Sequence, residues 1–203
     1  MGTLIVFEGI DGSGKSTQID ILKHRLESTG KDVIALREPG GTQLSEKIRT
    51  LLLSKGDTGI GNIAELFLFS AARAQLVEEL IKPALDEGKI ILCDRFIHST
   101  AAYQGYGREL PVDEIIATQR LVTDDIRPDL VILFDVPVTV GYDRINAAEI
   151  DRMEDAGYEF MERVRQGYLK LALKEPQTWL VVDGTREQTE IAEEIETRVK
   201  SII

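Results

Sequence analysis

Five short apolar runs recur along the chain, and longer stretches of helical periodicity separate them. The runs are Leu4–Glu8, Asp32–Leu36, Ile90–Asp94, Leu130–Val136 and Trp179–Asp183. Each has the length of a strand and is nearly continuous rather than alternating, the pattern of a strand buried on both faces. The periodic stretches predict helices over Lys15–Ser28, Gln43–Leu53, Asn62–Leu85, Val112–Thr123, Pro137–Ile145, Tyr158–Lys174 and Thr189–Ile203. Doubly buried strands alternating with helices predict an α/β fold, a five-stranded parallel sheet with helices on both faces. At 203 residues the chain reads as one domain over 1–203 with room for a sizeable core. Sheets of this kind bind ligands at the carboxyl ends of their strands, so residues that do chemistry should follow the apolar runs.

They do. The first run leads into Gly9-Ile10-Asp11-Gly12-Ser13-Gly14-Lys15-Ser16-Thr17, which carries the pattern G-x-x-x-x-G-K-[ST] and opens the first helix. Strand, glycine-rich loop and helix form the context of a phosphate-binding loop. Backbone N–H groups turn toward phosphate oxygens there, and the helix N-terminus adds its partial positive charge. In such loops the lysine, here Lys15, reaches the β- and γ-phosphates, and the hydroxyl of Ser16 holds Mg²⁺. After the second run comes the turn Arg37-Glu38-Pro39-Gly40-Gly41-Thr42, with Thr42 an N-cap candidate and Arg49 further along. The third run ends in Asp94-Arg95. Next to a triphosphate, Arg95 can clamp a phosphate bidentately and Asp94 can support Mg²⁺ through water.

Within the helix Asn62–Leu85, the apolar face of Ile63, Leu66, Phe69, Leu76, Val77 and Leu80 has Arg73 in its middle. An unpaired guanidinium cannot be buried, so two readings stand side by side. Either Arg73 forms a structural salt bridge or snorkels outward, or this face lines a pocket in which Phe69 stacks on a flat ring and Arg73 donates to its carbonyl oxygens. The run His98-Ser99-Thr100-Ala101-Ala102-Tyr103-Gln104-Gly105 offers small polar groups, an aromatic ring and an amide suited to a base or sugar, or simply a helix cap at Ser99 or Thr100. The polar segment around 144–155, with Arg144, Asp151, Arg152 and Glu154, suits a lid over phosphates or an exposed charged loop.

Composition narrows the partners. Lys and Arg number 24 against 35 Asp and Glu, a net charge of −11, which repels nucleic acid and anionic membranes. The single cysteine, Cys93, lies in an apolar run and reads as a buried small hydrophobe, and one cysteine excludes an internal disulfide. Two histidines, His24 and His98, are too few for a metal cluster. No apolar run approaches the length of a membrane span, and the N-terminal stretch lacks a basic leader with an apolar core. The expectation is a cytoplasmic protein.

Taken together, the segments FEGIDGSGKST, REPGGTQLSEKIRTLLL, ELFLFSAARAQ, CDRFIHSTAAYQG, RPDLVILFDV and DRME resemble those of the thymidylate kinase family, in the same order and nearly end to end. The resemblance implies a nucleoside monophosphate kinase of the P-loop type, transferring the γ-phosphoryl group of ATP to dTMP by direct in-line transfer, with Mg²⁺. It implies that Gly9 to Thr17 hold ATP and that Arg186, in the stretch after the last strand, lies beside adenine. Asp11 matches the acidic residue that engages the acceptor's 3′-OH, and Arg95 the arginine that grips the acceptor phosphate. Arg37 and Arg49 fall at further acceptor-site positions. Phe69 matches the ring that stacks on thymine, Arg73 the arginine on its O4, and Ser99 and Thr100 fall near the base edge. Tyr103 matches the ring under the sugar, with Gln104 beside it. Family members carry a catalytic arginine either in the phosphate loop or in the lid. Gly12 places this chain in the second type, and with alanines at 147 and 148 the remaining candidates are Arg144 and Arg152. The family also forms homodimers. The alternatives are a kinase of the same fold with another acceptor and, from a different class, a nucleotide-binding switch without turnover.

Overall fold

The computed structural model describes residues 2–55, 59–145 and 151–203. Strands β1 (Thr3–Glu8), β2 (Val33–Arg37), β3 (Ile90–Asp94), β4 (Leu130–Asp135) and β5 (Trp179–Asp183) form one sheet in the order β2-β3-β1-β4-β5. Every pairing is parallel. The helices are α1 (Lys15–Ser28), α2 (Gln43–Leu53), α3 (Asn62–Leu76), α4 (Lys82–Asp86), α5 (Ile97–Thr100), α6 (Val112–Val122), α7 (Val138–Arg144), α8 (Tyr158–Lys174) and α9 (Gln188–Lys200).

Successive residues of β1 feed opposite faces of the sheet, as the two-residue period of a strand requires. Ile5 and Phe7 join Ile19, Leu22 and Leu26 of α1 and Ile191, Ile195 and Val199 of α9. Leu4 and Val6 join Leu76, Val77 and Ile81 on the other face. Val131 and Leu133 of β4 meet Val164, Tyr168 and Leu171 of α8. Each such side chain, fully buried, contributes about 1.5–3 kcal/mol relative to exposure, so these faces hold the sheet central. The register sets Phe7, Asp94 and Arg37 level at the carboxyl edge, and the loops that follow them share one rim.

Three stretches depart from the sequence expectation. Strand β2 runs one residue later than Asp32–Leu36, because Arg37 pairs in register with Asp94. The helix expected over Asn62–Leu85 is α3, a π-helical turn at Val77–Ile81 and α4. The wide turn immediately precedes Pro83, whose missing N–H leaves a gap in the α ladder. The run after β3 is helical: α5 continues into a second π-helical segment, Ala101–Gly107. Ser99 and Thr100 are therefore not caps. The N-terminus of α5 is served from a distance, where the Glu8 carboxylate accepts from Phe96 N at 2.9 Å and Ser99 N at 3.2 Å. Thr42 does cap α2, accepting from Ser45 N at 3.1 Å. Cys93 is buried and unbonded to any other cysteine.

Candidate active site

Two clefts open at the carboxyl edge of the sheet, and they meet at Asp11. One is lined by Gly12 to Gln18, Asp94, Arg144 and the stretch Gly184–Thr189. The other is lined by Glu38, Pro39, Arg49, Phe69, Arg73, Arg95, Ser99, Thr100, Tyr103 and Gln104. Asp11 lines both. The second cleft holds about 550 Å³ of space between atoms, the open solvent at its mouth included.

The first cleft is built by the phosphate loop. Gly9, Gly12 and Gly14 all take positive φ, which lets the chain curl tightly before α1 begins at Lys15. Lys15 folds back onto the loop, donating to the carbonyls of Gly9 at 3.1 Å and Ile10 at 3.0 Å. Burial, and then the nearby Arg95, lower the Lys15 pKa. Ser16 Oγ donates to Asp94 Oδ2 at 3.3 Å, while Asp94 Oδ1 is buried with no partner among the described residues. These are hard oxygen donors with an orphaned carboxylate oxygen, which fits a magnesium ion brought in with a nucleotide. No group of three or more His, Cys, Asp or Glu gathers among the described residues, so the chain there offers no complete ligand set of its own. Arg144 Nη1 donates to Gly184 O at 3.0 Å and Gly12 O at 3.3 Å, at the wall of this cleft. Arg186 lines it too but is paired with Glu194 at 2.6 Å and Glu190 at 3.4 Å.

The second cleft is organised by two buried carboxylates. Glu8, fully buried, also accepts from Ser99 Oγ at 2.6 Å and Tyr168 OH at 2.9 Å. Burial raises its pKa, against the pull of Ser99 and Arg95. This bonding pins Ser99 and the start of α5 beneath Arg95, whose Nη1 reaches Ser99 Oγ and Tyr168 OH, each at 3.3 Å. Arg95 Nη2 donates to Asp11 Oδ1 at 2.7 Å, and its guanidinium lies 5.2 Å over the Tyr103 ring. Burial works to raise the Asp11 pKa, but Arg95 and Lys15 outweigh it and hold the carboxyl below the ordinary range. The backbone of Arg95 sits at φ 71, the left-handed region that disfavours a side-chain-bearing residue by about 1–2 kcal/mol, a strain that marks a constrained position.

Glu38 is the second carboxylate. Its Oε2 takes Arg73 Nε at 2.6 Å, and its Oε1 is buried without a partner among the described residues. Burial pushes its pKa up to about 7 in spite of Arg73. Arg73, only 2% exposed, also donates to Thr100 Oγ1 at 2.7 Å, to Gln119 Oε1 and to Phe96 O at 2.9 Å. Arg73 is thus salt-bridged, as the first reading has it, and it also lines the cleft beside Phe69. Gln104 gives its amide N–H to Glu65 at 2.8 Å, which leaves the amide oxygen as its acceptor. Arg49 lines the cleft and donates to Pro39 O at 2.9 Å.

Some expected residues lie elsewhere. Arg37 turns onto Pro39 O and Glu46, at 3.0 Å and 2.9 Å, and does not line the second cleft. Arg152 is held by buried Glu65 at 2.7 Å and by Leu52 O at 2.7 Å, away from the phosphate loop. Asn146, the alanines 147 and 148, Glu149 and Ile150 lie outside the described residues, and with them the middle of the lid segment. His98 faces away from the clefts, edge-on to Trp179 at 4.7 Å, and burial and Arg73 push its pKa down to about 3. The sequence reading passed over Glu8, Glu38, Glu65, Arg108, Gln119 and Tyr168. For Glu8 the available signal was an acid ending an otherwise apolar strand.

The family model for thymidylate kinase matches residues 7–195. The chain belongs to the thymidylate kinase family. It is 49% identical over 191 residues to the thymidylate kinase of Fervidobacterium nodosum, covering 94% of this chain and 95% of that protein. It is 45% identical to the thymidylate kinase of Pelobacter propionicus, covering 98% and 94%. Among solved structures it superposes on thymidylate kinase from Ehrlichia chaffeensis with a TM-score of 0.79, at 36% identity over 98% of both chains. The protein is accordingly an ATP-dependent nucleoside monophosphate kinase with the P-loop fold of that family, and the nucleotide-binding switch is set aside.

Proposed function

We propose that the two clefts are the donor and acceptor halves of one site, through which the protein transfers the γ-phosphoryl group of ATP to dTMP to give ADP and dTDP. The observation that carries this assignment is Asp11, held between Lys15 and Arg95 where the clefts meet. Residues 9–17 hold the ATP phosphates, and Lys15 leaves the loop carbonyls for the β- and γ-phosphates. Ser16 and Asp94 hold Mg²⁺, which, when bound, neutralises phosphate charge. Arg186 and the loop before α9 flank adenine.

On the acceptor side, Phe69 stacks on thymine, and Arg73 with Thr100 addresses the base edge. The Gln104 amide oxygen accepts from thymine N3–H. Asp11 engages the 3′-OH, Tyr103 packs under the sugar and excludes a ribose hydroxyl, and Arg95 and Arg49 hold the 5′-phosphate. Ser99 acts from below, by fixing Arg95. The acceptor is already an ionised phosphate, so no general base is required. Catalysis rests on positioning and on positive charge from Lys15, Arg95 and Arg144. Of the two arginine candidates near the lid, Arg144 is favoured because it borders the phosphate loop, whereas Arg152 is tied to Glu65.

The chain works as a homodimer in the cytoplasm. Exposed Leu44 and Leu51 of α2, Ile63 and Phe67 of α3, and Leu121 of α6 supply the apolar face for the dimer. No helix among the described residues is long and apolar enough to cross a membrane. Purified protein with ATP and Mg²⁺ should form ADP and dTDP from dTMP in a coupled assay run over several acceptors. Equal or faster turnover of unphosphorylated thymidine would overturn the acceptor assignment.

A further inference from the structure

The role given to Arg144 rests on the reading above, and a contact beneath it extends that reading. Helix α7 meets the phosphate loop through two glycines. Gly12 stands at φ 72, and a Cβ there would run into the carbonyl oxygen of Gly141. In return, a Cβ on Gly141 would lie 2.8 Å from Asp11 O and 3.0 Å from Ile10 Cδ1. The tightest contact from each side is to a backbone oxygen, Gly141 O and Asp11 O, which cannot swing aside as a side chain does. Nearly one helical turn beyond Gly141, Arg144 rests on Gly12 O and Gly184 O. The guanidinium is therefore moored to the same loop that the glycine pair allows α7 to touch.

We infer that Gly141 is a positioning residue for phosphoryl transfer. Its missing side chain lets α7 dock on the phosphate loop and sets Arg144 at the donor cleft before nucleotide arrives. The cation is delivered by the C-terminal end of α7 and is not recruited from solution. The same contact forbids a side chain at position 12, so a docked α7 and an arginine inside the loop exclude each other in this chain. One tight glycine pair thus accounts for both the bare loop position and the placement of Arg144.

The test is a double-mutant cycle on the purified enzyme, reading kcat, the KM for dTMP and thermal stability for G141A, R144A and the pair. Removing a preorganised cation lowers kcat by about 100-fold, and displacing one by an ångström has an effect of up to about the same order. G141A should lower kcat by about 10- to 100-fold with the dTMP KM unchanged, and the double variant should be no slower than R144A. If G141A does not yield folded protein, G12A presses on the same contact from the loop side and should show the same lack of additivity with R144A. Unchanged kcat in G141A beside a crippled R144A overturns the positioning role alone, as does a double variant slowed by the product of the two single effects. R144A at wild-type kcat removes Arg144 from the reaction and overturns the reading beneath it.

Discussion

Arg73 shows how one side chain serves both stability and recognition. Every face of its guanidinium is engaged by Glu38, Thr100, Gln119 or the Phe96 carbonyl, yet it lines the second cleft, the proposed acceptor half. R73A strands a buried carboxylate and should destabilise the fold by about 3–5 kcal/mol as well as cripple dTMP use. Replacing both partners with apolar residues of similar volume, R73M with E38L, should restore much of the stability but not the activity. Denaturant melts and dTMP kinetics on the two variants separate the roles. Glu38 also predicts a pH dependence. Its folded pKa of about 7 lies above the ordinary 4.5, so between those values the folded state keeps a proton that the unfolded state releases. Stability from this group is therefore full below about 4.5 and falls by about 3 kcal/mol as pH rises to about 7. Chemical melts at about pH 5 and pH 8 should show a shallower decline in E38Q than in the parent.

At the scale of elements, buried polar contacts between helices hold the second cleft together. Fully buried Glu65 of α3 accepts from Gln104 of the π-helical segment, from Arg108 at 3.0 Å and from Arg152 at 2.7 Å. Burial would raise its pKa, but Arg108, Gln104 and Arg152 together lower it. E65A leaves two cations without this partner and frees the Gln104 amide, to which the proposed site gives the base. It should destabilise the enzyme by about 3–5 kcal/mol and raise the KM for dTMP more than that for ATP. The contact between α1 and β3, Ser16 to Asp94, predicts a different signature. In the proposed site Asp94, bonded to Ser16, would help hold Mg²⁺, so D94N should weaken apparent Mg²⁺ affinity by about 10- to 100-fold while dTMP binding holds. A magnesium titration of kcat, together with dTMP binding in the absence of ATP, checks it.

For the whole molecule, the net negative charge and the exposed apolar side chains of α2, α3 and α6 bear on the proposed partners. A net charge of −11 disfavours nucleic acid, and exposed Phe67, 58% accessible in the isolated chain, belongs to the contact proposed for the dimer. F67E should shift the protein toward monomer in sedimentation velocity, with the fold preserved, since the side chain contributes little to the core of a single chain. An F67E protein that sediments as the parent does would place the dimer on another face.

The order of strands and helices, the phosphate loop and most of the residues around the clefts were legible in the chain, because each rests on local chemistry. Doubly apolar runs make parallel strands, and Gly9 to Ser16 carry their own backbone logic. Phe69, Arg73, Asp94 and Arg95 stood out as polar or aromatic groups where apolar ones were expected, or at the end of a buried strand. Contacts between residues far apart in the chain were decided only by the tertiary structure. Glu8 caps a helix almost ninety residues away, Glu38 pairs with Arg73, Glu65 holds Arg152, and Arg144 rests on the phosphate loop. No spacing announces such pairs, because a buried charge chooses its partner by what the packed sheet and helices bring within reach. Gly12 belongs to both levels. As sequence it is a missing side chain, and in the fold it is the surface on which Gly141 sets α7.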